Sequence, residues 1–159
     1  AWFVSGDLML DQGLKHASFV DRLGDTFRWK GENVATTEVE GAIGARPEVD
    51  QAVVYGVPVP GADGRAGMAA VRLHDRAEFD GVGLAEHLRK TLPSYAVPLF
   101  VRLSPELEHT STFKSRKTEL RDQAFDTSQF DEPLYVLSKD KGYIPFYEGA
   151  AEDVVAGTL

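Results

Sequence analysis

The sequence contains no cysteine, which excludes disulfides, thiolate metal sites and thiol nucleophiles and is compatible with a reducing cytosol. Its four histidines, His16, His74, His87 and His109, are scattered without the spacing of a metal-ligating pair, so no metal site is legible. No run approaches the roughly 20 apolar residues that a membrane-spanning helix needs, and the N-terminus has no basic stretch leading into an apolar one. Cations are outnumbered, with 17 Lys and Arg against 25 Asp and Glu and a formal net charge of -8. Without a Lys/Arg-rich run there is no surface suited to neutralising a phosphate backbone, and nucleic acid is set aside as a partner. Internal repeats and low-complexity segments are also missing.

What is present suits an ordinary globular chain. At 159 residues and 43% apolar content, there is material for one compact domain and an extension. The chain opens on Ala1-Trp2-Phe3-Val4 without an initiator Met; this reads as the middle of a strand, and the expectation is a piece of something longer. Short apolar runs at Trp2-Phe3-Val4, Leu8-Met9-Leu10 and Ser18-Phe19-Val20 are broken by Gly6-Asp7 and Asp11-Gln12-Gly13, the pattern of small strands joined by turns.

From Asp25 the pattern changes. Thr26-Phe27-Arg28-Trp29-Lys30 reads as a strand ending in a turn at Gly31. Thr37 with Glu40 three residues later has the form of a capping box opening a helix toward Gly44, with Val39 and Ile43 on one stripe. Buried strands are expected at residues 51–57 and 67–73, joined by a turn at Ala62-Asp63-Gly64. The surrounding Gly61–Gly67 stretch lacks the Gly-Lys-Ser/Thr ending of a phosphate loop and reads as a hairpin connection. Asp80 or Gly81 starts a second helix whose Leu84, Leu88 and Leu92 share a face until Pro93 stops it. Leu99-Phe100-Val101-Arg102-Leu103 is a further strand, and residues 115–122 form a charged, mostly exposed helix. The fold class is therefore α+β, a short, mostly antiparallel sheet flanked by helices. After Phe125 the chain becomes aromatic and proline-punctuated, through Phe130, Pro133, Tyr135, Tyr143, Pro145, Phe146 and Tyr147; an extended tail packing on a neighbouring surface is expected.

Several segments carry chemistry only when taken together. Ser5-Gly6-Asp7-Leu8 alone is no more than a turn. It is followed by Asp21-Arg22-Leu23-Gly24-Asp25, Phe27-Arg28-Trp29-Lys30-Gly31-Glu32-Asn33-Val34 and Thr37-Glu38-Val39-Glu40, then by Leu92-Pro93-Ser94-Tyr95-Ala96-Val97-Pro98 and Thr112-Phe113-Lys114. In order and approximate spacing these resemble the hinge and C-terminal motifs of the adenylate-forming enzymes, which include acyl-CoA synthetases, luciferases and peptide-synthetase adenylation domains. The wording of the hinge block and the aromatic tail are most similar to the very-long-chain acyl-CoA synthetase and fatty-acid-transport-protein branch.

The resemblance implies a division of the chain and a set of roles. Residues 1–23 would be the end of an N-terminal ATP-binding domain, residues 24–125 a mobile C-terminal lid and residues 126–159 the tail. Asp7 would accept hydrogen bonds from the two ribose hydroxyls of ATP, as a two-oxygen acceptor can, against the plain alternative of a turn aspartate. Arg22 would sit near ribose and phosphate, where a guanidinium fork fits, or make an ordinary surface ion pair. Gly24 stands where many relatives place a charged pivot residue; it and Asp25 are the two hinge candidates. Lys114 would be the catalytic lysine, its ammonium bridging the substrate carboxylate and the α-phosphate, with Lys117 a nearby decoy. Relatives usually carry Gly before this lysine, whereas Phe113 stands here. Gly31 would mark the loop that forms part of the coenzyme A channel, or simply a tight turn. Trp29 and Lys30 would line that channel, with a core position the competing reading for Trp29. Residues 92–98 and Tyr95 are assigned structural roles.

By the same resemblance, the full-length parent would convert a long- or very-long-chain fatty acid and ATP with Mg²⁺ to an acyl-adenylate, then transfer the acyl group to coenzyme A. Its partners would be its own N-terminal domain and those substrates; its setting would be cytoplasmic, with peripheral membrane contact compatible with long acyl chains. The isolated chain is expected to be inactive and to hold no cofactor tightly. The alternatives are a noncatalytic interaction or regulatory module of the same origin, and adenylation of another acid or for another acceptor.

Overall fold

A computed structural model of the chain describes residues 7–13, 16–22, 26–107 and 113–159. Two small antiparallel hairpins come first. Strand β1 (Asp7–Gly13) pairs with β2 (His16–Arg22), and β3 (Phe27–Trp29) pairs with β4 (Glu32–Val34). Helix α1 (Thr36–Gly44) leads into the main sheet, built from β5 (Val49–Val57), β6 (Ala66–Leu73), β7 (Phe100–Leu103), β8 (Leu134–Ser138) and β9 (Gly142–Pro145) in that spatial order. Among the described residues, only β6 and β7 run parallel. A parallel pair needs a long crossover, which here contains α2 (Gly81–Thr91) and a 3-10 turn at Ser94–Ala96. Helix α3 (Phe113–Gln123) follows β7, and α4 (Ala150–Ala156) closes the chain.

The expected α+β class and the mostly antiparallel sheet are what the structure has. Interior strand β6 is buried from Ala66 to Val71, consistent with its small, apolar residues being covered on both faces. In α2 the Asp80 carboxylate accepts from the Gly83 N–H at 2.8 Å as N-cap, satisfying one of the donors a helix start leaves open. Leu84, Leu88 and Leu92 are all buried. Leu92, ahead of Pro93, is extended at φ -117° and ψ 152°, as a residue before proline must be to avoid the ring.

Two expectations are corrected. The Thr37/Glu40 capping box does not form: the N-cap of α1 is Ala35, which places Thr37 inside the helix. Glu40 instead turns to the sheet, where its Oε1 accepts the Val54 N–H at 2.9 Å. Because β5 is an edge strand, this contact meets a backbone donor on that strand with a side chain, one way of protecting an edge. The second correction concerns residues 126–159. They are not an extended tail on another surface but supply two strands of the same sheet and its last helix. Several of their aromatics pack on the core, although Tyr147 is exposed: Phe146, with Phe125 just before the segment, gathers on Phe100 with ring centroids 6.1 Å and 4.7 Å away. The buried Tyr143 hydroxyl donates to the Pro98 carbonyl oxygen at 2.7 Å. Period-two alternation was hard to see there because β8 and β9 are only five and four residues long.

Candidate functional site

Two features hold the residues singled out from the sequence, the β3–β4 hairpin and the start of α3. In the hairpin, Phe27, Trp29 and Val34 are buried and Arg28 between them is exposed, the alternation of a strand with one face on the core. Trp29 pairs with Glu32 across a two-residue loop. Lys30 and Gly31 occupy that loop with φ of 51° and 81°, the pair of positive values that a twist-compatible two-residue hairpin turn requires. A Cβ on Gly31 would meet nothing within 4 Å, so the backbone conformation accounts for glycine here and the tip stands open.

The hairpin is tied to the connection between β5 and β6. The Arg65 N–H donates to the Arg28 carbonyl oxygen at 2.8 Å, and Trp29 forms a bridge with Gly64. Gly64 has φ +79° and lies where a Cβ would run into that same carbonyl. Phe27 lies over Gly56 and Gly67, which face one another across β5 and β6. A Cβ on Gly67 would stand 3.2 Å from the Phe27 ring and 3.2 Å from the Pro98 Cα. The buried flank of the hairpin is thus fixed to the sheet while Lys30 and Gly31 stay exposed. Burial supports the core reading of Trp29.

Lys114 is the second residue of α3. One turn on, Lys117 is 7% exposed, with its Nζ 3.9 Å from Glu40 Oε1 and 3.4 Å from Thr36 Oγ1. That buried ion pair to α1 makes Lys117 a poor candidate for work at a solvent-open site. Leu120 is fully buried. Asp7 and Arg22 are register partners at the open end of the β1–β2 hairpin, so the backbone brings together the two residues assigned to nucleotide binding. Gly24 and Asp25 lie outside the described residues.

A buried cluster beside α3 was missed in the sequence. Arg102 on β7 is 2% exposed. Its Nη1 donates to Gln123 Oε1 in the last turn of α3 at 2.7 Å, and its Nη2 donates to both oxygens of Glu132 at 3.0 Å and 2.9 Å. The guanidinium lies 3.7 Å from the centroid of the Phe130 ring, a cation–π distance. Burial pushes the Glu132 carboxyl up; the hydrogen bond from Arg102 and the positive charge of Arg102 and Arg116 outweigh this and hold it below the usual range. Burial likewise pushes the Tyr55 hydroxyl up, opposed by the same two arginines. The available signal was an arginine inside an otherwise apolar strand, Leu99-Phe100-Val101-Arg102-Leu103.

Among the described residues, no group of three His, Asp or Glu side chains could hold a metal ion. No helix among them is long and apolar enough to cross a membrane.

Comparison with known proteins places this geometry. Residues 38–114 match the AMP-binding enzyme C-terminal domain, a match whose last residue is Lys114. The chain is 56% identical over 157 residues to a medium/long-chain-fatty-acid–CoA ligase of Mycobacterium tuberculosis, covering 98% of this chain and 26% of that protein. It is 43% identical over 159 residues to long-chain fatty acid transport protein 2 of Rattus norvegicus, covering 99% and 26%. It therefore spans about a quarter of the length of these curated relatives. Among solved structures, ATP-bound MatB from Rhodopseudomonas palustris superposes with a TM-score of 0.66 at 25% identity, over 76% of this chain and 24% of that one.

Proposed function

Because the chain belongs to the adenylate-forming superfamily, as a C-terminal domain of the kind found in fatty acid transport proteins and acyl-CoA synthetases, we propose that it is the moving lid of an ATP-dependent fatty acid–CoA ligase. The observation that carries this is the 56% identity, across 98% of the chain, to a protein named for that activity.

In this reading the start of α3 and the hairpin tip serve the two half-reactions. In the first, the ammonium of Lys114 lies between the fatty acid carboxylate and the α-phosphate. As the carboxylate oxygen attacks phosphorus, its negative charge passes to the α-phosphate oxygens and on to the departing pyrophosphate. A fixed cation in a site closed to water stabilises that charge far more than water would. Asp7 accepts from the ribose hydroxyls and Arg22 faces the phosphates. Mg²⁺ would neutralise nucleotide phosphate charge, held outside the described residues of this chain. In the second half-reaction the lid turns about Gly24 and Asp25 and presents the hairpin tip. Gly31 lets the pantetheine arm of coenzyme A pass close to backbone, Lys30 offers a cation, and buried Trp29 anchors the loop behind them.

Pyrophosphate exchange, measured on the full-length protein with a long-chain fatty acid, tests the proposal. Lys114→Ala is expected to abolish most of the exchange while sparing thioester formation from supplied acyl-adenylate. The 159-residue chain alone is expected to give no exchange. Equal losses in both half-reactions would overturn the role of Lys114; exchange by the chain alone would overturn its role as a lid.

A further inference from the structure

We propose that Arg102 is a positioning residue for adenylation: it fixes the helix that carries Lys114 by holding Gln123 at that helix's far end. The inference rests on the reading of Lys114 as the adenylation lysine and adds a device that sets where the lysine goes.

Helix α3 has 11 residues, about 16 Å of rigid rod. Two polar anchors among its described residues tie it to its neighbours, with fully buried Leu120 between them. Near its start, Lys117 meets Glu40 and Thr36 of α1. In its last turn, Gln123 receives the 2.7 Å bond from Arg102. The two anchors are six residues, or about 9 Å, apart along the axis, and Lys114 lies three residues beyond the first. With two separated polar anchors, directional contacts fix the rod at both ends; without the second, the apolar packing around Leu120 holds the helix but leaves it freer to shift.

The Arg102 anchor is itself immobilised. A buried guanidinium is costly unless its donors are met; here Glu132 takes one amino group and Gln123 the other, Phe130 covers the face, and only the Nε is left without a partner. Strand β7, which carries Arg102, is paired on both sides by β6 and β8. The sheet's position is thereby passed to α3 through one directional bond. Apolar packing could match the cluster in stability but would not provide that bond. Gln123, Phe130 and Glu132 all lie beyond the residues matched by the shared C-terminal domain, so the later part of the chain supplies the means of aiming a lysine at that domain's end.

The test uses the full-length protein and measures the half-reactions separately. Gln123→Leu removes the acceptor while leaving Arg102 its contact with Glu132. It is expected to lower kcat for adenylation tenfold to a hundredfold, on the order of what a small misplacement of a reacting group costs, with KM for ATP and thioester formation from supplied acyl-adenylate changed by less than about twofold. Gln123→Glu keeps an acceptor and is expected to recover most of the adenylation rate. Arg102→Met should reproduce the Gln123→Leu split if it folds; Gln123→Leu, at a half-buried position, keeps the test decisive if it does not. Equal loss in both half-reactions, or failure of Gln123→Glu to recover, would overturn the proposal. Lys114→Ala separates the two claims. If it abolishes adenylation while Gln123→Leu spares it, positioning fails and the lysine assignment stands; if it leaves adenylation intact, the lysine assignment fails first.

Discussion

Lys117 and Glu40 meet between α3 and α1, 3.9 Å apart, with the lysine side chain 8% exposed and the glutamate 22%. Glu40 also accepts the Val54 N–H of the edge strand, so one carboxylate joins two helices and the sheet. Removing the lysine leaves that carboxylate poorly compensated. Lys117→Ala is expected to destabilise the chain by ~3 kcal/mol, read from the urea midpoint, whereas Lys117→Met with Glu40→Gln should recover much of the loss. A Lys117→Ala change of less than ~0.5 kcal/mol would mean the pair is no more than a surface contact.

Gly56 and Phe27 are in a similarly exclusive relation, since a Cβ at residue 56 would stand 2.5 Å from the Phe27 Cβ. Gly56→Ala should cost about 1–3 kcal/mol by overpacking. Phe27→Gly, which removes that Cβ, costs more alone but should couple favourably with it in a double-mutant cycle. Additive effects would show that the hairpin can move off the sheet without penalty.

At the hairpin tip the constraint is conformational. Gly31→Ala should lower stability by about 1 kcal/mol because an L side chain is disfavoured at φ 81°. Lys30→Gly, relieving the neighbouring φ of 51°, should be neutral or slightly stabilising. Thermal melting of the two variants checks the contrast, and a Gly31→Ala melt identical to the parent's would refute it.

Glu132 titrates below the ordinary carboxylate range in the folded chain. Its contribution to stability is therefore fully present above the unfolded value of about 4.3 and is lost as pH falls through the lower folded value. Protonation also strips buried Arg102 of its counter-charge. Between pH 7 and pH 3 the urea midpoint should fall less steeply for Glu132→Gln than for the parent chain. Parallel curves would remove Glu132 from the acid response.

Much of the frame was legible from residue patterns alone. The Leu84, Leu88 and Leu92 stripe with its proline stop gave α2, and the apolar runs around Ala62-Asp63-Gly64 gave β5 and β6. The order of the motifs led to the family and to Lys114, because spacing along a chain survives as placement on consecutive elements. The Thr37/Glu40 pair misled because its local pattern admits two partners for one carboxylate, a helix N-terminus or a distant strand. Helix α1 starting at Thr36 and the N–H of Val54 decided for the second.

The sequence by itself determined most of the elements and their α+β class, and singled out the two segments proposed to carry the chemistry, since periodicity, turn glycines and proline stops act within a few residues. Tertiary structure alone decided that residues 126–159 complete the sheet, that Trp29 is core and that Arg102 reaches Gln123 and Glu132. Those contacts join residues 21 and 30 positions apart. No local pattern encodes such a pairing, because it forms only when a buried charge must find donors and acceptors among whatever the packed elements bring to it.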